Sequence, residues 1–141
     1  MKRSIVMIIV GIALICIAVG LITFISGAPQ NPPVVQEPAW DSPQTRALAQ
    51  RACFDCHSNE TTWPWYSRVI PASWLIRRDV NEGRRRLNFS DWGSGRRETR
   101  EIGEVIAEGE MPPFYYVMMH PTAKLTQAEQ QALAQGLSVL R

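Results

Sequence analysis

The chain has 141 residues and a formal net charge of +2, which allows one domain plus an appendage and offers too little basic excess to argue for a nucleic-acid partner. Eight of its 15 basic residues nevertheless fall between Arg77 and Arg100, interleaved with Asp79, Glu82, Asp91 and Glu98. Such mixing reads first as a solvated helical surface and second as a docking face for an acidic partner.

From Ile5 to Ile25 the chain is apolar and uncharged, interrupted only by glycines and Thr23. About 20 helical residues cross a hydrocarbon core of ~30 Å, so residues 1–26 are expected to form a transmembrane anchor in the lipid bilayer. Lys2 and Arg3 precede the run, and no basic residue follows until Arg46. That asymmetry predicts a single pass through the inner (cytoplasmic) membrane, with the N-terminus cytoplasmic and the remainder periplasmic or otherwise extracytoplasmic. A cleaved signal peptide is the alternative, with small residues at Ser26-Gly27-Ala28. Against it, the apolar run is longer than an ordinary signal core, and Pro29 would directly follow the cut. Cys16 reads as a small residue inside the span, and Ile15 before it argues against a lipoprotein cleavage site.

Residues 27–42 are expected to form a proline-rich stalk: five of the ten prolines lie between Gly27 and Pro43. Such a segment favours extended polyproline II. At ~3.1 Å per residue it would be a semi-rigid spacer of roughly 40 Å, holding the domain clear of the lipid.

Residues 43–141 read as short helices joined by loops, an all-α domain. Ser42-Pro43 is a helix start, a hydroxyl cap followed by proline at the first helical position. Ala49, Cys53 and Cys56 then share one face. A second helix is expected from near Pro71 to near Gly83. Ile102, Val105 and Ile106 mark a third, with Gly109 suited to end it. Thr126 and Glu129 form a capping box for the last helix, whose stripe is Leu133, Leu137 and Leu140. No stretch alternates as a strand would.

Cys53-Phe54-Asp55-Cys56-His57 is the decisive feature. A C-x-x-C-H string reads as covalent haem c attachment. Two thiols add to the two vinyl groups of one porphyrin, which requires them about one helical turn apart. The histidine that follows brings its imidazole to the iron as an axial ligand. Its other ring N–H should donate to a backbone carbonyl or similar partner. Three readings compete: a Cys53–Cys56 disulfide, a thioredoxin-type redox pair without the βαβ pattern such pairs occupy, and a zinc site built from Cys53, Cys56, His57 and His120.

A c-type iron commonly takes a second protein ligand. Met111 lies in Gly109-Glu110-Met111-Pro112-Pro113, where two prolines stiffen the loop after a helix. It is the preferred distal ligand, with His120 as the alternative, while Met118 and Met119 read as pocket lining. Trp63, Trp65, Tyr66, Trp74, Trp92, Tyr115 and Tyr116 supply core or pocket aromatics, and Arg68 is one candidate partner for a propionate. Asn88-Phe89-Ser90 matches a glycosylation acceptor by chance.

With these motifs in order the chain resembles the bacterial haem-binding domain proteins, single-domain c-type cytochromes often tethered by one N-terminal helix. The resemblance runs through Cys53-x-x-Cys56-His57-Ser58, Trp63-Pro64-Trp65-Tyr66-Ser67, Asn88-Phe89-Ser90-Asp91-Trp92, Met111-Pro112-Pro113, His120-Pro121 and Leu125-Thr126. It implies one haem c per chain and a cytochrome c-like helical fold, and it leaves both Met111 and His120 as distal candidates. The expected function is electron carriage between respiratory or other redox proteins, with no enzymatic activity. The alternative is a haem-based sensor or peroxidase-like enzyme whose distal site is open or displaceable.

Overall fold

The computed structural model describes all residues except Met1, Ser26, Ala28, residues 94–98 and Arg141; of Ile25, Thr99, Arg100 and Glu101 only the backbone is described. Ser26 and Ala28 of the small-residue signal, and Arg96, Arg97 and Glu98 of the basic stretch, therefore lie outside the described residues. The architecture is all-α, with helices α1 (Lys2–Ile25), α2 (Pro43–Ala52), α3 (Phe54–His57), α4 (Ala72–Arg86), α5 (Thr99–Ala107), α6 (Phe114–Met119) and α7 (Gln127–Ser138). No strand occurs among the described residues; extended pairing is confined to an isolated parallel bridge between Gln36 and Asp91.

Two compact units divide the chain, Met1–Gln30 with Trp63–Arg78 and Asn31–Thr62 with Asp79–Arg141. The first contains α1, which is long and apolar enough to cross a membrane. Its large side chains, from Ile5 to Phe24, are exposed. The same unit holds a 3₁₀ turn at Trp65–Arg68 and the first half of α4, with Trp65 and Trp74 also exposed.

The second unit owns the core. Ser42 caps α2 by accepting from the Thr45 N–H at 3.1 Å, with Pro43 at the first helical position, as the sequence predicts. Leu48, Ala49 and Ala52 form the buried face of α2. The stripe Leu133, Leu137 and Leu140 is buried on and just beyond α7. The two helices cross at Gly136, where any Cβ would collide with the Thr45 side chain, so glycine sets the close approach. α5 packs on α7 through its apolar stripe, which includes the buried Ile106. Phe54, Phe89, Trp92 and Trp40 extend this core with ring centroids 5.3–6.2 Å apart.

Two expectations change. From Asn31 onward the proline-rich segment does not stand free as a spacer but lies along the second unit. Asn31 Nδ2 donates to the Thr61 carbonyl and Asn59 Nδ2 to the Pro33 carbonyl. Val35 and Gln36 donate their N–H groups to Ser90, and Trp92 donates to Gln36. Glu37 then receives a fork from Arg46 of α2, at 2.8 and 2.7 Å, and the Trp40 indole N–H at 2.8 Å. An extended chain leaves its backbone groups open, and here the domain's own loops satisfy several of them. The second change is that α4 continues past Gly83 to Arg86. A mid-helix glycine costs about 1 kcal/mol against alanine, and its approach to Cys56 gives the reason for keeping it there.

At the start of α7 the capping box is complete. The Thr126 hydroxyl accepts the Glu129 N–H, and the Glu129 carboxylate accepts the Thr126 N–H at 2.8 Å. The same carboxylate reaches Arg51 of α2 at 2.7 Å. The Thr126 backbone N–H, then Arg51, hold its pKa down at about 2 against an ordinary 4.5. A depressed carboxylate stabilises the fold above its unfolded pKa and loses that contribution as it protonates. The advantage of wild type over Glu129→Gln in urea titrations should therefore be full above pH 4.5 and shrink steadily as pH falls toward 2. A difference independent of pH would contradict the assignment.

Candidate functional site

The Cys53–His57 motif is built at the end of α2. The Cys53 N–H closes that helix on the Ala49 carbonyl at 2.8 Å. Cys56 and His57 then both donate to the Cys53 carbonyl, at 3.1 and 2.9 Å, which forms the single turn α3. Cys53 and Cys56 thus sit one turn apart, as the three-residue spacing predicts, and both are free, half-buried thiols. The intervening residues are used in opposite directions. Phe54 is buried in the aromatic core, stacked on Phe89 at 5.5 Å. Asp55 is turned to polar partners, accepting the Thr62 N–H on Oδ1 and the Tyr116 hydroxyl on Oδ2, at 2.8 and 2.7 Å.

His57 is held by α4. Its Nδ1 lies 3.0 Å from the Gly83 carbonyl and 3.1 Å from the Leu87 carbonyl. Both neighbours can only accept, so Nδ1 carries the proton and Nε2 keeps its lone pair free to bind a metal. The Leu87 carbonyl lies just beyond the C-terminal turn of α4, where helix carbonyls lack intrahelical donors. Burial lowers the His57 pKa, the two carbonyl bonds partly opposing it, so the ring stays neutral. Gly83 explains itself here. A Cβ on it would run into the Cys56 carbonyl and lie 3.1 Å from the Cys56 Cβ. Only glycine lets α4 come close enough for its carbonyl to meet His57.

The loop after the motif is fixed as firmly. Phe89 donates to the His57 carbonyl at 2.8 Å, Asn59 N–H to the Ser90 hydroxyl at 2.9 Å, and Arg84 Nε to the Ser58 carbonyl at 2.8 Å. Asn88, in the apparent glycosylation pattern, spends both ends of its amide on Asn59 and on the Ser90 N–H.

Burial pushes the Cys53 thiol up to about 12 and, together with the Asp55 and Asp79 carboxylates, the Cys56 thiol up to about 11. Among the described residues no three His, Cys, Asp or Glu side chains gather as a metal would require. Cys53, Cys56, His57 and His120 therefore do not assemble the zinc site their number allows.

The distal candidates lie on one segment. α5 closes with the two Schellman bonds, Gly109 N–H to Ile106 O and Glu110 N–H to Val105 O, with Gly109 at φ 74°. This delivers Met111, 38% exposed, into the turn that precedes α6. Pro121 stops the chain from continuing α6 beyond His120. His120 stacks on Tyr116 at 4.5 Å, and Tyr116 is the residue bonded to Asp55. α6 buries none of its residues, and Phe114, Met118 and Met119 are 76, 73 and 61% exposed. An apolar helix left uncovered beside a polar-capped motif marks a surface for an apolar ligand. Free thiols one turn apart, an imidazole with Nε2 available and this uncovered apolar helix together fit a haem.

The family model described as "Haem-binding domain" matches residues 17–138. The chain belongs to that family. The match begins inside α1, so it also takes in the proline-rich segment, ahead of the stretch that carries the sequence resemblance. Comparison with curated proteins and with solved structures returns no significant match. Membership supports haem as the cofactor of this haem-binding domain.

The motif spacing predicts Cys53, Cys56 and His57 as neighbours. Asp55, Gly83, Arg84 and Tyr116 are not singled out by sequence, because each acts on a partner 23–61 residues away and no local spacing signals it. Replacing Gly83 by alanine should destabilise the fold by about 1–3 kcal/mol as overpacking, reversing the gain that alanine brings to an ordinary helix interior. Denaturant titration reads the sign directly, and a stabilised variant would show that the approach of α4 to Cys56 is not tight.

Proposed function

We propose that this haem-binding domain is a membrane-anchored c-type cytochrome that carries electrons on the periplasmic or extracytoplasmic face of the cytoplasmic membrane. The observation that carries the reading is the pairing of C-x-x-C-H with a histidine whose Nδ1–H is committed to two carbonyls. Cys53 and Cys56 would hold one haem through thioether bonds, and His57 Nε2 would be the proximal iron ligand. Met111 would be the distal ligand, with His120 the alternative. Bound haem supplies one-electron chemistry at its iron.

The chain's own contribution is to fix this site. The carbonyls of Gly83 and Leu87 select the tautomer of His57 and increase its basicity as a donor. Phe54 anchors the motif in the core, which limits rearrangement around the site during electron transfer. A filled distal position distinguishes a carrier from a sensor or peroxidase-like enzyme, which needs an open or displaceable one. α1, preceded by Lys2 and Arg3, would keep the domain beside membrane-bound redox partners.

Protein matured with cytochrome assembly machinery should give a c-type pyridine haemochrome, and its reduced form should be low-spin and unreactive toward carbon monoxide. Met111→Ala should abolish the weak methionine–iron(III) charge-transfer band and lower the reduction potential, while His120→Ala retains both. The reverse pattern would transfer the distal role to His120, and prompt carbon monoxide binding by wild type would favour the sensor or enzyme.

A further inference from the structure

Asp55 and Tyr116 meet across 61 residues of sequence in a 2.7 Å hydrogen bond, and the ends of that bond have different owners. Asp55 lies between the two cysteines, its Oδ1 held by the Thr62 N–H at 2.8 Å and its carbonyl by the Thr61 hydroxyl at 2.8 Å. It is therefore a fixed post on the attachment motif. Tyr116 lies midway along the segment that carries both distal candidates, five residues after Met111 and four before His120. Its ring stacks on His120, and its carbonyl accepts the His120 N–H at 2.8 Å. α6 has no buried residue of its own to hold it by core packing.

We propose that the Asp55–Tyr116 hydrogen bond is a clasp that positions the Met111–His120 segment against the attachment motif, so that Asp55 and Tyr116 are positioning residues for the distal ligand. The inference rests on the haem-attachment reading and deepens it. A charge-assisted hydrogen bond shifts an equilibrium by about ten-fold or more. Without it the distal segment samples positions in which its ligand is withdrawn, and an external ligand can compete for the vacated position. This differs from packing α6 against a core, because hydroxyl–carboxylate bonds hold it: the short one from Tyr116 to Asp55, and a longer, exposed one from Tyr115 to Asp79 at 3.3 Å.

The experiment uses the full chain matured with haem. Pyridine haemochrome per protein is measured first on wild type, together with carbon monoxide binding by the reduced form. A wild type without haem c, or one that binds carbon monoxide readily, overturns the parent reading and the clasp with it, before any variant is made. Given a closed wild type, Tyr116→Phe should attach haem to the same extent yet react with carbon monoxide at least ~10-fold faster, with a weakened charge-transfer band. Asp55→Ala should do the same if Tyr116→Phe fails to accumulate, and the double variant should add nothing further.

Asp55→Asn is the conservative rescue. Its amide oxygen can keep the Thr62 N–H while its NH₂ donates to the Tyr116 oxygen, so the clasp survives without the charge. It should remain closed to carbon monoxide. Normal haem content with wild-type carbon monoxide resistance in both Tyr116→Phe and Asp55→Ala would overturn the clasp while leaving haem attachment standing.

Discussion

The contact on which the site depends is the one between the His57 imidazole and the end of α4. Two backbone carbonyls, at 3.0 and 3.1 Å from Nδ1, fix the tautomer and orient the ring. A neutral imidazole has one donor and one acceptor nitrogen, so committing the first defines the second. That commitment needs α4 nearly in contact with the Cys56 backbone, which needs a residue without a Cβ at position 83. A helix-weakening glycine is thus kept inside a 15-residue helix because the site requires it there.

Around that contact the motif works as a hub that ties several parts of the second unit together. Phe54 enters the aromatic core, Asp55 holds Tyr116, Cys53 ends α2, and the His57 carbonyl accepts from Phe89. Such a hub is over-determined by the chain's own contacts. In the proposed electron carrier this would be the useful property, since a site that does not rearrange leaves little reorganisation to accompany a change of charge at the iron. The uncovered apolar face of α6 is the complementary feature, surface that the chain alone does not bury.

Much of this could be read from sequence where the governing interaction is local. The Ser42-Pro43 start of α2, the Thr126–Glu129 capping box, the Gly109 terminus and the spacing of the cysteines all act within one or two helical turns, and the structure contains each of them. The extent of α4 differs from the sequence expectation for a physical reason. Glycine reads as a terminator by propensity, whereas Gly83 answers to a tertiary contact with Cys56. The proline-rich segment differs likewise. Its composition predicts an extended conformation, but not that Asn59, Ser90 and Trp92 would hydrogen-bond it along the domain. Tyr116 is one aromatic among many in the sequence, and only the fold brings it to Asp55.

The account stands or falls on a covalent link between this turn of chain and a porphyrin. Intact-mass spectrometry of the chain matured with the host's cytochrome assembly machinery tests that link without reference to ligation or potential. The mass should equal the polypeptide plus one haem under denaturing conditions, and the increment should vanish when Cys53 and Cys56 are both replaced by alanine. A bare polypeptide mass from wild-type protein, or an increment that survives loss of both cysteines, would contradict it.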